Sequence, residues 1–154
     1  VPRRTDWLLT LLAGDGSDPP IERLDPIRVM KGLYLAQNEV DTDTIRPLED
    51  PAFVFVPYSY GPFTPSIYGE LETLELLGFV ESRQAPGRSF KTWRLTAEGE
   101  AESRAAVERL TTDEVARLRH AYRIVTTKGF NGLLEYVYSR YPDSASQSVH
   151  RAAR

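Results

Sequence analysis

Four cations fall close together in the sequence: Arg83, Arg88, Lys91 and Arg94, with Glu81 as the only opposing charge among them. Gathered on one surface, such side chains lie along a phosphate backbone, and each neutralised phosphate releases condensed counterions. The alternative is a solvated hairpin with balanced neighbours. Upstream, Thr64, Ser66, Tyr68 and Thr73 carry hydroxyls that could reach phosphates or base edges. The start of their helix, 64–68, would turn backbone amides toward phosphate. A third group is aromatic: Tyr58, Tyr60 and Phe63 flank Gly61-Pro62. These rings could stack on bases or line a peptide pocket, and covering the core edge is their plainer use.

No grouping has the makings of catalysis or of a metal centre. Cysteine is absent, and His120 and His150 are too far apart for metal-ligand spacing. His120 neighbours Arg117, Arg119 and Arg123, off the apolar stripe of its helix, so a surface or interface position is expected. It lacks an accompanying nucleophile and orienting acid. Asp41, Asp43, Glu49 and Asp50 lack the central Gly and terminal Glu of a calcium loop and read as a solvated loop. Gly14-Asp15-Gly16-Ser17 lacks the Lys-Ser/Thr ending of a phosphate loop. The expectation is a protein that is not an enzyme and uses no cofactor and no metal.

The elements that must position these residues are legible in pieces. Trp7 to Ala13 predicts a short first helix, followed by a turn-rich loop, 14–20. Asp25-Pro26 is a helix start, Asp as cap and Pro at the first position, and Ile27, Met30, Leu33 and Tyr34 continue at helical spacing to about Gln37. Residues 38–51 read as loop, and Phe53-Val54-Phe55-Val56 as a short buried strand. Thr64-Pro65 repeats the start signal for a third helix, whose Ile67, Leu71 and Leu74 face the core and which Gly78 stops. Residues 79–83 and 90–95 predict a hairpin around Ala85-Pro86-Gly87-Arg88. Thr96 caps a fourth helix to Leu110. Thr111-Thr112-Asp113-Glu114 is a capping box opening a fifth, with Val115, Leu118, Tyr122 and Val125 on one stripe. A sixth runs from Phe130 to Tyr141, burying Leu133, Leu134, Val137, Tyr138 and Tyr141.

Within the third helix no Arg or Lys occurs from Pro65 to Gly78, while Glu70, Glu72 and Glu75 do. Guanine is read mainly by Arg or Lys and adenine by Asn or Gln, so direct readout lacks its usual residues. The Gly69, Thr73, Leu76 stripe instead suits packing on another helix, in this chain or in a partner.

The 154 residues fit one domain with a helical extension, and 41% apolar residues suffice for a core. The net charge of −3 requires any basic surface to be local. The basic start before Trp7 has the first two parts of a secretory signal. Asp6, Thr10 and the poor cleavage site at Gly14-Asp15-Gly16 argue for a helix instead. Val1 is an unusual first residue and is consistent with residues preceding it. No apolar run approaches the roughly 20 residues needed to cross a bilayer, so a cytoplasmic protein without a membrane partner is expected.

Ser66-Ile67-Tyr68, Leu71, Leu74-Glu75 and Gly78-Phe79-Val80, then a polar turn, then Trp93-Arg94-Leu95-Thr96 and Gly99, resemble the second half of PadR- and MarR-like winged helices. Pro57-Tyr58-Ser59-Tyr60-Gly61-Pro62-Phe63 more specifically resembles the YwgA-like proteins and the antitoxin-associated Panacea domain. Met30 to Ala36 is similar to their early helix, and Leu134 to Pro142 to their C-terminal end. In a standard winged helix the second and third helices form a tight helix-turn-helix; here a loop and a strand separate them. The resemblance implies a mainly α fold with a small antiparallel β-sheet (α+β): a winged-helix-type domain over 1–110, a helical extension over 111–142 for dimerisation or packing, and a flexible tail over 143–154. It implies a DNA-binding transcriptional regulator, a homodimer on double-stranded DNA, touching phosphates through Arg83, Arg88, Lys91 and Arg94. The alternative is a non-catalytic protein-interaction module, such as an antitoxin or defence-complex component. Its partner would sit on Tyr58, Tyr60, Phe63, Gly69 and Leu76.

Overall fold

The computed structural model describes residues 3–15 and 23–145. In chain order these form α1 (Arg4–Leu12), α2 (Pro26–Asn38), β1 (Glu39–Asp41), β2 (Thr44–Ile45), β3 (Val56–Tyr58), β4 (Gly61–Phe63), α3 (Ser66–Leu76), β5 (Val80–Gln84), β6 (Lys91–Leu95), α4 (Ala97–Arg109), α5 (Thr112–Thr127) and α6 (Phe130–Arg140). A 3-10 turn, Pro142–Ala145, follows. The strands make three separate two-stranded antiparallel sheets, β1-β2, β3-β4 and β5-β6. The fold is mainly helical, α+β. No helix among the described residues is long and apolar enough to cross a membrane.

Local caps decide most helix starts. The Asp25 carboxylate accepts from the Arg28 amide at 2.9 Å ahead of Pro26. The Thr96 hydroxyl accepts from the Gly99 amide at 3.0 Å. Thr111 and Glu114 form the reciprocal capping box at 3.0 and 2.8 Å. α1 begins earlier than its apolar run because Asp6 reaches back to the Arg3 amide at 2.8 Å. α3 departs from expectation. Pro65 is its cap residue and makes no side-chain cap, while the buried Thr64 pairs its hydroxyl with that of Ser66 at 3.1 Å.

Two other expectations are corrected. The expected loop over 38–51 contains the β1-β2 hairpin, closed at Asp41, whose carboxylate accepts from the Asp43 amide at 2.9 Å. Residues 53–55 are not a strand. Phe53 is buried, but its amide and carbonyl are satisfied by the Gln37 side chain at 2.9 and 3.0 Å. A glutamine thus replaces the neighbouring strand, Val54 points to solvent, and pairing begins only at Val56. The structure also continues past Pro142, since the 3-10 turn buries Ser144; the rest of the expected tail, 146–154, lies outside the described residues.

The core joins α1, α2 and α5. Trp7, Leu8, Leu11, Leu33, Leu118 and Val125 are all buried there. α1 crosses α2 closely at Gly32, where a Cβ would stand 3.0 Å from the Leu11 side chain. Arg28 fastens the start of α2 to the end of α5, donating to the Val125 and Lys128 carbonyls at 2.9 and 3.4 Å. On the far side, Arg109 of α4 donates twice to the buried Asp6 of α1, at 3.0 and 2.8 Å. Leu133, Leu134, Val137 and Tyr138 of α6 are also buried in this chain's own core, whereas Tyr141, expected to be buried with them, is the cap residue at the end of the helix and is only half-buried. The extension packs on its own domain through these residues.

Candidate interaction surface

The β5-β6 hairpin separates the cations that sequence proximity groups together. Side chains alternate faces along a strand. Val80, Trp93 and Leu95 face the core, so Lys91 shares their side of the sheet. Arg83 and Arg94 project from the opposite side, and Arg88 sits in the connecting turn. Arg94 is moreover ion-paired with Glu81. The same outer face holds Arg23, which donates to Glu81 at 3.3 Å and to the Thr92 hydroxyl and carbonyl at 2.9 and 3.0 Å. Arg94 first, then Arg23, holds the Glu81 carboxyl below the usual carboxylate range. Arg83, Arg88 and Lys91 are exposed, and their side chains make no ion pair among the described residues.

α3 buries Ile67, Leu71 and Leu74 as its spacing predicts. The outward side presents Tyr68, Gly69, Glu72, Thr73, Glu75 and Leu76, all exposed, and Leu76 is 83% accessible. The Thr73 hydroxyl is directed back to the Gly69 carbonyl at 3.0 Å. With Thr64 and Ser66 paired to each other, the Tyr68 hydroxyl is the one of the predicted DNA-contact set without a hydrogen-bond partner among the described residues. Glu75 accepts from the Ser82 hydroxyl at 2.8 Å, joining α3 to the hairpin.

The aromatic turn stands beside α3. In β3-β4, Pro57 pairs with Pro62 and Tyr58 with Gly61. Gly61 is required twice over, by its φ of +100° and because a Cβ would lie 3.0 Å from the Tyr138 ring. Tyr58 stacks on Phe63 with centroids 4.8 Å apart, and Phe63 meets Tyr68 at 6.4 Å, so three rings run in a row from the turn to α3. Tyr60 contacts Phe130 of α6 at 6.0 Å. A cavity of about 260 Å³ lies among Pro26, Met30, Lys31, Tyr58, Phe63 and Tyr68. A second, about 600 Å³, continues between α3 and the hairpin, lined by Glu72, Glu75, Phe90, Lys91 and Trp93. Pro26 and Tyr68 border both, so the two adjoin as neighbouring parts of a groove beside α3.

Lys31 is a buried cation at the base of this groove. It is 1% exposed, and its ammonium donates to the Tyr60 carbonyl. Burial lowers its pKa to about 8, with the Asp25 charge partly opposing. The unfolded chain therefore holds this proton more tightly than the folded one, so stability rises with pH once the folded group begins to release it. Calorimetry between pH 8 and 9.5 is expected to show wild-type stability rising by up to about 2 kcal/mol. Lys31→Met is expected to abolish that rise. A rise of the same size in Lys31→Met would assign it to another group.

Sequence reasoning missed Glu39, whose carboxylate accepts four side-chain hydrogen bonds. It is fully buried at the end of α2. Its carboxylate accepts from Tyr136 Oη at 2.6 Å, His120 Nε2 at 2.7 Å, Tyr141 Oη at 2.7 Å and Arg140 Nε at 3.0 Å. Burial alone would raise its pKa, but the hydrogen bonds from His120, Tyr136 and Tyr141 and the Arg140 charge outweigh that and hold it below the usual range. His120 is therefore buried rather than at a surface or interface. Arg117 is buried too, donating to Asp113 at 2.8 Å and the Ala36 carbonyl at 3.4 Å. The Glu39 cluster holds α6 against the body, and α6 in turn supports the aromatic turn through Phe130 and Tyr138.

Among the described residues no group of three or more His, Asp or Glu side chains is placed to hold a metal ion. The chain matches no protein-family model and no curated protein.

Proposed function

We propose that this chain is a non-catalytic protein-interaction module on a winged-helix-type scaffold, holding a protein partner through α3 and the aromatic turn. The observation that carries this reading is the outward face of α3. In a DNA reader this face meets the groove; here it offers Glu72, Glu75, Tyr68 and the almost fully exposed Leu76. Carboxylates repel phosphates, whereas Leu76 and the neighbouring exposed Leu77 give this end of α3 an apolar surface of the kind found at protein contact sites. The resemblance to YwgA-like and Panacea proteins suggests an antitoxin-like or defence-complex component acting in the cytoplasm.

The double variant Tyr68→Ala/Leu76→Lys tests it. Both side chains are exposed, so unfolding free energy is expected to change by less than about 0.5 kcal/mol per site. Affinity co-purification from the cells that make the protein is expected to recover a partner with wild type and lose it with the variant. Equal recovery by a folded variant would remove α3 from the contact.

One observation favours the second reading, a homodimeric DNA-binding regulator: Arg83, Arg88 and Lys91 are exposed and lack ion pairs among the described residues. Duplex binding with a steep salt dependence, lost in Arg83→Ala/Arg88→Ala/Lys91→Ala, would support it.

A further inference from the structure

The groove beside α3 has chemistry specific enough to name what it recognises. The smaller cavity, about 260 Å³, falls below the roughly 300–1,000 Å³ of small-molecule sites and suits a single bulky side chain. Its walls are Pro26, Ile27, Met30, Pro62 and the rings of Tyr58 and Phe63, and Lys31, its one cation among the described residues, is engaged by the Tyr60 carbonyl. The adjoining cavity has a different character. Tyr68, Glu72 and Glu75 stand at i, i+4 and i+7 and so form one stripe of α3, and all three line it. Two carboxylates beside a tyrosine ring combine an ion pair with a cation–π face. α3 contains no Lys or Arg to neutralise them. Lys91 is the one cation lining this second cavity among the described residues, and it belongs to the hairpin wall.

Building on the protein-interaction reading, we propose that the groove takes a basic segment of a partner protein. One bulky apolar side chain fills the smaller cavity, and an arginine or lysine lies over Tyr68, Glu72 and Glu75. Because Pro26 and Tyr68 border both cavities, the anchor and the cation are near neighbours in that segment. Aromatic and arginine side chains are the residues that most often dominate such contacts. A nucleic-acid strand would find the ring row, but its phosphates would face Glu72 and Glu75.

Selection of a random dodecapeptide library on the immobilised full chain tests this, with Tyr68→Ala, Glu72→Lys/Glu75→Lys and the milder Glu72→Gln/Glu75→Gln as comparisons. Far-ultraviolet circular dichroism establishes that each variant is folded. Wild type is expected to enrich Trp, Phe or Tyr close to Arg or Lys and to deplete Asp and Glu. A selected peptide is expected to weaken about tenfold or more when its Arg becomes Glu, and similarly against Glu72→Lys/Glu75→Lys. Selection on that reversed variant should favour Asp or Glu instead. Aromatic enrichment without charge preference, lost in Tyr68→Ala, would overturn the basic segment while leaving the groove as the contact site. Failure to select peptides, or peptides indifferent to Tyr68→Ala, would overturn both.

Discussion

Glu39→Gln is expected to lower the unfolding free energy by about 3 kcal/mol, because it removes a fully buried charge that accepts four hydrogen bonds and compensates the half-buried Arg140. The glutamine amide would also present a donor where Tyr136, Tyr141 and His120 already direct theirs. Urea unfolding followed by circular dichroism would show this as a lower midpoint at unchanged slope. The acid side supplies a second readout. The Glu39 carboxyl lies below its ordinary 4.5 in the folded chain. Its contribution is therefore complete above about 4.5 and lost as the pH falls through the lowered folded value. Glu39→Gln should lack that part of the acid loss. A cost below about 1 kcal/mol would mean that the cluster is an ordinary exposed ion pair in solution.

Gly99→Ala is the second large effect. Gly99 lies in the first turn of α4, where a Cβ would stand 1.8 Å from the Phe79 carbonyl oxygen. That oxygen also accepts from the Thr96 amide at 3.0 Å, so it is fixed between strand and helix. Neither backbone can yield without breaking the junction of β5, β6 and α4. The expected loss is about 3 kcal/mol or more, at the upper end of what overpacking costs. Gly69→Ala is the contrast. Nothing lies within 4 Å of its added methyl, and the position is an exposed helix interior. It should stabilise by about 0.5–1 kcal/mol. Equal thermal midpoints for the two variants would contradict the packing at Phe79.

These two positions show what the sequence makes legible. Gly99 belongs to the Leu95-Thr96 to Gly99 pattern that marks the start of α4, and local capping at Asp25, Thr96 and Thr111 likewise places α2, α4 and α5. Such signals act over three or four residues. Glu39 gives none, because its donors come from 81 to 102 residues away. Between Asn38 and Asp41 it reads as one more loop acid. His120 looked peripheral for the same reason: its position off the apolar stripe is correct, but a buried carboxylate waits there. Phe53 misled in another way, since an aromatic and β-branched run ordinarily signals a strand, and a glutamine side chain took the neighbouring strand's place. The cation cluster was separable from sequence. Strand alternation puts Lys91 opposite in facing to Arg94, and proximity along the chain obscured it. On the candidate surface, the acidic and apolar outward side of α3 was readable from helical spacing, whereas the groove required the turn, α2 and the hairpin to be brought together.

Site-specific photocrosslinking in the cells that make the protein would show whether α3 or the hairpin meets the partner. A benzophenone side chain placed at Tyr68 or Leu76 on α3 is compared with one at Arg88 in the hairpin turn and one at the exposed Arg104 of α4. A discrete protein adduct is expected from Tyr68 and Leu76, and none from Arg88 or Arg104. DNA adducts from Arg88, with no protein adduct on α3, would contradict this and make the hairpin the working surface.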